Sequence, residues 1–269
     1  MTSVPQPATT DPLLLVTRDN HGVVTLTLNR PDSFNALSME LMDSLKTALI
    51  ELGNDPSARV IILAGSGRVF CAGHDLKEMR AETSEDGIRR VFELCSQVMQ
   101  AITRCPKPVI ARVHGIATAA GCQLVASCDL AVAEAGTRFA VSGINLGLFC
   151  ATPMVALSRA IPAKAALEML LTGHFIDSET ALHHGLVNKV VAKGELDAAV
   201  DGLAQTIAAK SPAAVALGKR LFWRQREVPT GMAYELACDV MTRNMMTEDA
   251  AAGIDAFINK QPTPVWKGR

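Results

Sequence analysis

Residues 117–132 read "ATAAGCQLVASCDLAV". Ala119, Ala120 and Gly121 make a small-residue turn in which backbone can approach a ligand closely. The apolar run behind them continues as a helix whose first N–H groups have no partner in a preceding turn and point at whatever sits on it. The most polar side chain there is Gln123, whose carboxamide holds a water or a carbonyl but accepts no proton near neutral pH. The sequence thus offers a ligand-facing turn with no base beside it.

Outward from this turn the chain alternates short strands and helices. Two apolar runs, "LLLVT" and "VVTLTLN", flank the polar "RDNHG" and predict a hairpin, the second run alternating as a half-buried strand does. Ser38 is placed to cap a helix carrying Leu41, Leu45, Leu49 and Leu52 on one face. "RVIILAG" reads as a buried strand, and Ile88, Phe92, Cys95, Met99 and Ile102 keep a helical period before "KPVIARVHG", a further strand. A β-β-α unit recurs without a repeat in the residues. From Pro153 onward the pattern is mainly helical, with Gly173 and Gly185 closing helices and Ser211-Pro212 opening another. The expected division is residues 1–12 as a flexible tail, 13–200 as a strand-rich core and 201–269 as a helical region, with Trp223, Tyr234 and Trp266 serving packing or subunit contact.

Composition narrows the function. The chain has 269 residues, 49% hydrophobic, enough for one large core, and its net charge of −1 does not advertise nucleic acid or an anionic membrane. No apolar run reaches the length of a membrane span. The 7 cysteines include no C-x-x-C and no His/Cys spacing suited to a metal, so no metal is expected and the thiols read as buried in a reducing compartment. His183-His184 reads as a helix C-terminus capped by Gly185, not as a metal pair. Residues 1–12 carry no basic leader and no apolar core, so a cytoplasmic protein is expected.

One further turn could hold a ligand. Gly65-Ser66-Gly67 follows a strand as a dinucleotide-binding loop does, but Phe70 stands in place of the third glycine and Gly73 would break the required helix. Gly73 reads better as a sharp turn before a short helix starting near Asp75, whose free amides would face a ligand together with those behind Ala119-Ala120-Gly121. Two converging backbone donors make an oxyanion hole.

Four segments in order, "NRPDSFNALSMEL", "GRVFCAGHDLKEM", "KPVIARVHGIATAAGCQLVASCDLAVA" and "FAVSGINLGL", resemble the enoyl-CoA hydratase/isomerase (crotonase) superfamily over nearly the whole chain. The resemblance implies an α/β fold, a crotonase-like spiral of β-β-α units with a C-terminal helical trimerisation region, assembled as a homotrimer or as a hexamer made of two trimers. It implies an acyl-CoA thioester as ligand, with no cofactor beyond the CoA moiety. The thioester carbonyl would lie between the N–H groups of His74 and Ala120. The CoA arm would run along Phe34, Ala36 and Leu37 and along Ala72, Asp75, Leu76 and Lys77, while Phe257 and Lys260 would reach across from a neighbouring subunit.

The two glutamates that hold the added water in hydratases of this family fall by position on Gln123 and Gly143, and neither is an acid. Losing both removes an ionisable pair in which each group typically contributes about 100-fold to 10,000-fold. The family's name for this chain is enoyl-CoA hydratase. The alternatives are a decarboxylase or thioesterase using the same oxyanion hole, or a catalytically silent acyl-CoA binder. A decarboxylase branch also lacks the second glutamate; its active-site tyrosine falls on Cys150, which with Ser142 and Asn145 completes the polar candidates near the acyl group. If only the carboxylates are missing, Gln123→Glu with Gly143→Glu would restore hydration.

Overall fold

The computed structural model describes residues 12–269, so the expected tail lies outside the described residues except for Pro12. Strands β1 (Leu14–Arg18) and β2 (Val23–Leu28) form the expected antiparallel hairpin, closed by Asp19, whose carboxylate accepts from His21 N and Val23 N at 2.8 Å each. Helix α1 (Met39–Asn54) starts at Ser38, whose hydroxyl accepts from Leu41 N at 3.2 Å, and buries Leu41, Leu45, Leu49 and Leu52. Strand β3 (Val60–Gly65) is followed by the short α2 (Leu76–Ala81), the long α3 (Glu85–Arg104), β4 (Val109–Val113), β5 (Ile116–Thr118) and α4 (Ala120–Ser127). The chain then adds β6 (Leu130–Glu134), β7 (Arg138–Ala140), α5 (Ala151–Ala160), α6 (Ala163–Thr172), β8 (Ile176–Asp177), α7 (Ser178–His184), β9 (Lys189–Val191) and α8 (Leu196–Ala208). Gly173 and Gly185 close α6 and α7 in the left-handed conformation, as read from the sequence.

The large sheet has the order β1-β2-β3-β4-β6-β9 and is parallel except for the hairpin; the small one is β5-β7-β8. Each turn of the chain gives a strand to the large sheet, a strand to the small sheet or its edge, and then a helix: β4-β5-α4, β6-β7-α5, and β3 with Cys71, which bridges Ala117 of β5. Side chains alternate across the pleat, which explains the unbroken apolar run of β3. Ile61 and Leu63 join the core under α1 and α3, while Val60 and Ile62 face the opposite side, where Val200 and Ala204 of α8 cover them. Position 200, the expected boundary, therefore falls inside a helix that seals the sheet.

The last three helices are α9 (Pro212–Gln225), α10 (Thr230–Met245) and α11 (Glu248–Ile258). A buried ion pair latches α9 to the core: Lys219 Nζ lies 2.5 Å from Asp129 Oδ2 and donates to the carbonyls of Ile102 (2.9 Å) and Lys107 (2.8 Å). Asp129 also accepts from Trp223 Nε1 at 2.8 Å and Val109 N at 2.7 Å, so Trp223 serves packing and hydrogen bonding in its own chain. Removing one partner of such a pair costs about 3–5 kcal/mol because the other charge is left buried alone. By contrast, α10 buries none of its residues, and Met232, Tyr234, Met241 and Met245 stand exposed along it. No helix is long and apolar enough to cross a membrane, and no three His, Cys, Asp or Glu side chains gather as a metal site among the described residues.

Candidate functional site

Three segments cross beneath the start of α4, and a buried asparagine ties two of them. Phe34 and Asn35 both take left-handed backbone (φ 52° and 54°), which turns the fully buried Asn35 side chain inward. Its Nδ2 lies 2.8 Å from Ser66 O and 2.9 Å from Val69 O, and its Oδ1 accepts from Arg30 N at 2.9 Å. Residues 34–37 then pair with residues 72–75 through Ala72 N to Phe34 O (3.0 Å), Leu37 N to Gly73 O (2.8 Å) and Asp75 N to Leu37 O (3.0 Å). The same strand pairs on its other side with β5, through Cys71 N to Ile116 O at 3.1 Å and Thr118 N to Cys71 O at 3.0 Å.

This crossing brings two amides together. Gly73 has φ +97°, and a Cβ there would stand 2.9 Å from Ala119 Cβ and 3.3 Å from Ala120 N, so the peptide joining Gly73 to His74 abuts the first amide of α4. Only glycine fits so close an approach. The His74 and Ala120 N–H groups have no acceptor among the described residues, whereas their neighbours are bonded: Ala119 N to Ala140 O and Gln123 N to Ala119 O, both at 3.0 Å. Ala119 sits at φ 50°, ψ −120°, a conformation that strains a residue with a Cβ by about 1–3 kcal/mol. Gly121 packs on the Cys71 carbonyl with no space for a side chain.

The short helix does not present its amides as expected. Asp75 caps it, Oδ1 accepting from Lys77 N (3.1 Å) and Glu78 N (3.2 Å), so these donors are occupied. Asp75 Oδ2 is paired with Arg30 at 2.9 Å. Burial opposes ionisation of Asp75, but Arg30 and the two amides outweigh it and hold its carboxyl below the usual range. The D-x-x-E spacing of Asp75 and Glu78 carried that signal. Of the residues expected along the CoA arm, Phe34, Ala36, Leu37, Ala72, Asp75, Leu76 and Lys77 lie on these adjoining segments. Leu37, however, is buried and can offer only main chain. Phe34 is exposed with the Arg68 guanidinium 5.6 Å from its ring centre. Phe257 and Lys260 are not brought to this place: the bonds holding α11 run from Asp249 to Ser211 (2.6 Å), Lys267 N and Gly268 N, and Phe257 is 85% exposed.

The two positions expected to carry acids hold no ionisable side chain. Gln123 is buried, its Nε2 donating to Thr152 O at 3.0 Å and its Oε1 lying 3.7 Å from Cys95 Sγ. At Gly143 a Cβ would come within 2.7 Å of Leu148 O and 2.8 Å of Cys150 Sγ, so the position is not an empty slot for a carboxylate. The Cys150 thiol fills it, and burial pushes that thiol's pKa up, as it pushes Cys71, Cys95 and Cys122 up to about 12. Ser142 Oγ is bonded to Thr118 Oγ1 at 2.9 Å, and Asn145 Nδ2 reaches Gly173 O at 3.4 Å. The expectation that two restored glutamates would revive hydration is therefore corrected, because Gly143 admits no side chain without backbone movement. His74 keeps an unpartnered ring nitrogen, Nε2, sealed from solvent with the ring edge-on to Phe92 at 5.6 Å, and burial lowers its pKa from 6.5 to about 4. Arg30 and Thr152 carry no signal in the sequence, Cys95 reads only as a core position of its helix, and Asn35, which lies in the segment expected along the CoA arm, is of a type tolerant of positive φ.

Residues 18–269 match the enoyl-CoA hydratase/isomerase family model. The chain is 47% identical over 253 residues to enoyl-CoA hydratase domain-containing protein 3, mitochondrial, of Xenopus laevis, covering 94% of this chain and 86% of that one. It is 33% identical to the short-chain-enoyl-CoA hydratase of Clostridium acetobutylicum, covering 92% and 95%. Among solved structures, an enoyl-CoA hydratase from Mycobacterium smegmatis superposes with a TM-score of 0.93 at 56% identity, covering 95% of this chain and 99% of that one. The cytoplasmic location expected from residues 1–12 is corrected by these names, since the vertebrate relatives are mitochondrial proteins.

The lowered His74 pKa gives a pH dependence whose sign is fixed. Above about 6.5 the imidazole is neutral in folded and unfolded chain alike; between about 6.5 and 4 only the unfolded chain binds the proton, so stability falls as pH falls, by about 3 kcal/mol in all. Chemical denaturation across this range is expected to show that loss, and His74→Gln to remove this component of it. An unchanged pH slope in the variant would contradict the buried neutral imidazole.

Proposed function

The chain belongs to the enoyl-CoA hydratase/isomerase family, and from that premise we propose that it binds acyl-CoA thioesters with the thioester oxygen between the His74 and Ala120 N–H groups. The observation that carries this reading is the pair of acceptor-free amides brought side by side by Gly73. Each donor aimed at developing charge contributes about 3 kcal/mol toward an enolate-like transition state. Phe34, Ala36 and Ala72 line the path of the CoA arm, with Lys77 and Arg80 of α2 as cations outside any ion pair among the described residues.

A reaction at this site has to run without a carboxylate on the protein. Gln123 can fix a water or the acyl group by its amide, and Cys150 acts as packing, not as a nucleophile, because its thiol stays protonated. Hydration of a simple 2-enoyl thioester needs the proton transfers that Gln123 and Gly143 cannot perform. The Cys150-filled space at Gly143 favours a second reading in which the substrate supplies the electrons itself. In loss of CO2 from a 2-carboxyacyl thioester the C–C bond breaks, its electron pair passes to the enolate held by the two amides, and water returns a proton to C2.

Mass spectrometry of a panel of acyl-CoAs tests both readings. Binding of acyl-CoAs with little hydration of crotonyl-CoA is expected, and Gln123→Glu with Gly143→Glu is expected to remain inert toward it. Wild-type hydration at ordinary enzyme rates would overturn the account of the missing bases; retention of free acids but not thioesters would overturn acyl-CoA binding.

The exposed apolar face of α10 supports assembly through residues 201–269 into a trimer or a hexamer, with Phe257 and Lys260 reaching a neighbouring subunit's CoA arm. Light scattering at micromolar concentration is expected to give three or six times the chain mass, and a monomer would contradict it.

A further inference from the structure

The two segments that carry the amides also meet at their roots. One runs from the turn at Gly67 through Phe70 and Cys71 to His74; the other runs from His114 through β5 to Ala120. His114 joins them twice. Its carbonyl accepts from Phe70 N at 3.0 Å, and its ring nitrogen Nε2 lies 2.9 Å from Gly67 O. Asn35 grips the same turn at Ser66, Val69 and Phe70, but it ties the turn to the loop beginning at Arg30 and not to the segment leading to Ala120. At Gly115 a Cβ would stand 2.2 Å from Arg68 O, so the two roots lie in contact.

The other ring nitrogen decides where the proton sits. Nδ1 of His114 lies 3.3 Å from Nη1 of Arg112, and a guanidinium only donates, so Nδ1 accepts. The proton is left on Nε2, from which it is donated to Gly67 O, the bond at one ring nitrogen fixing the state of the other. Arg112 is aimed in turn by Asp197, in the first turn of α8, through its Nε. Asp197 is largely exposed, so this ion pair adds little stability and its effect is to orient the guanidinium. Asp197, Arg112, His114 and Gly67 lie on the wall of a cavity of about 460 Å³ on the α8 side of the large sheet. The other charged groups on that wall are Asp201 of α8 and Glu134 of β6, and Glu134 accepts from Gly194 N at 3.1 Å.

Resting on the acyl-CoA reading above, we infer that His114 is a positioning residue for the amide pair: in its Nε2–H tautomer it locks the root of the His74 segment to the root of the Ala120 segment and so sets the spacing of the two donors. Main-chain bonds at Phe70 and Cys71 fix the register of the two segments. The side-chain bond at Gly67, three residues before Phe70, fixes the angle between them. Donors to a developing oxyanion act at about 2.7–3.1 Å, so a small rotation of one root against the other takes a donor off the oxygen. A site of this kind works only where its supporting contacts hold the geometry to within about 0.5 Å.

Two measurements on the full chain test this. Magic-angle-spinning 15N spectra of histidine-labelled protein at mildly alkaline pH are expected to show His114, identified as the signal absent from His114→Gln, protonated at Nε2 and bare at Nδ1. An Nδ1–H ring, or a ring exchanging between the two forms, would overturn the inference, and this result does not depend on how the next variant folds. The second measurement compares His114→Gln with His114→Met, side chains of similar length of which only glutamine keeps a donor for Gly67 O. The readout is the 13C-labelled carbonyl stretch of bound butyryl-CoA. The methionine variant is expected to bind the thioester but to lose most of the wild-type displacement to low frequency, and the glutamine variant to keep most of it. Equal loss in both variants would reduce His114 to packing, and no loss in either would detach it from the amides. Both outcomes overturn the inference and leave the acyl-CoA reading standing. Wild-type protein that fails to bind butyryl-CoA, or binds it with no displacement, would overturn that reading and this inference with it.

Discussion

The peptide between Gly73 and His74 has to lie against the first amide of α4, and much of the surrounding structure is arranged around that contact. Asn35 clamps the 34–37 loop to the turn after β3, that loop pairs with residues 72–75, and β5 pairs with Cys71 from the other side. Gly121 must lack a side chain so that α4 can sit on the Cys71 carbonyl, and Ala119 accepts strained backbone so that Ala120 N–H is left without an acceptor. Strain of this kind persists only where neighbouring contacts over-determine it, and here those contacts are the two sheets and α4.

Electrostatics at the site come from dipoles, not from ionised side chains. Asp75, which follows His74 in the chain, is consumed by a helix cap and an arginine; burial disfavours the charged imidazole of His74 and the ionised forms of the Cys71 and Cys150 thiols. A buried, preorganised pair of N–H groups acts on developing negative charge without reorganising, which suits an enolate oxygen. The same environment offers nothing to carry a proton between C2 and a water. Beside the two acceptor-free amides, the space at Gly143 is filled by Cys150 and the Gln123 amide is bonded to Thr152.

Much of this was legible in the residues. The Ala119-Ala120-Gly121 turn, the Gly73 bend, the Ser38 cap and the buried run of β3 each follow from local rules and stand where expected. Gln123 and Gly143 could be recognised as non-acids, but not how tightly each is held, because the closure at Gly143 comes from Leu148 and Cys150, brought back by a tight loop. Helix α8 read as part of the C-terminal layer up to its contact with the sheet, since periodicity shows that a helix has an apolar face and not what the face covers. The D-x-x-E spacing marks Asp75 as a cap, and the cap occupies amides that a helix start otherwise leaves free. The location differs for another reason, because the composition of residues 1–12 says nothing of the compartment.

In the proposed binding mode the two amides polarise the thioester carbonyl. Isotope-edited infrared spectroscopy of an acyl-CoA labelled with 13C at the carbonyl measures this directly on the bound ligand. The account predicts a C=O stretch displaced to lower frequency on binding, beyond its value in water, because two aligned donors in a water-poor site lengthen the bond more than solvent does. A bound thioester whose carbonyl stretch stays at or above its aqueous frequency would contradict it.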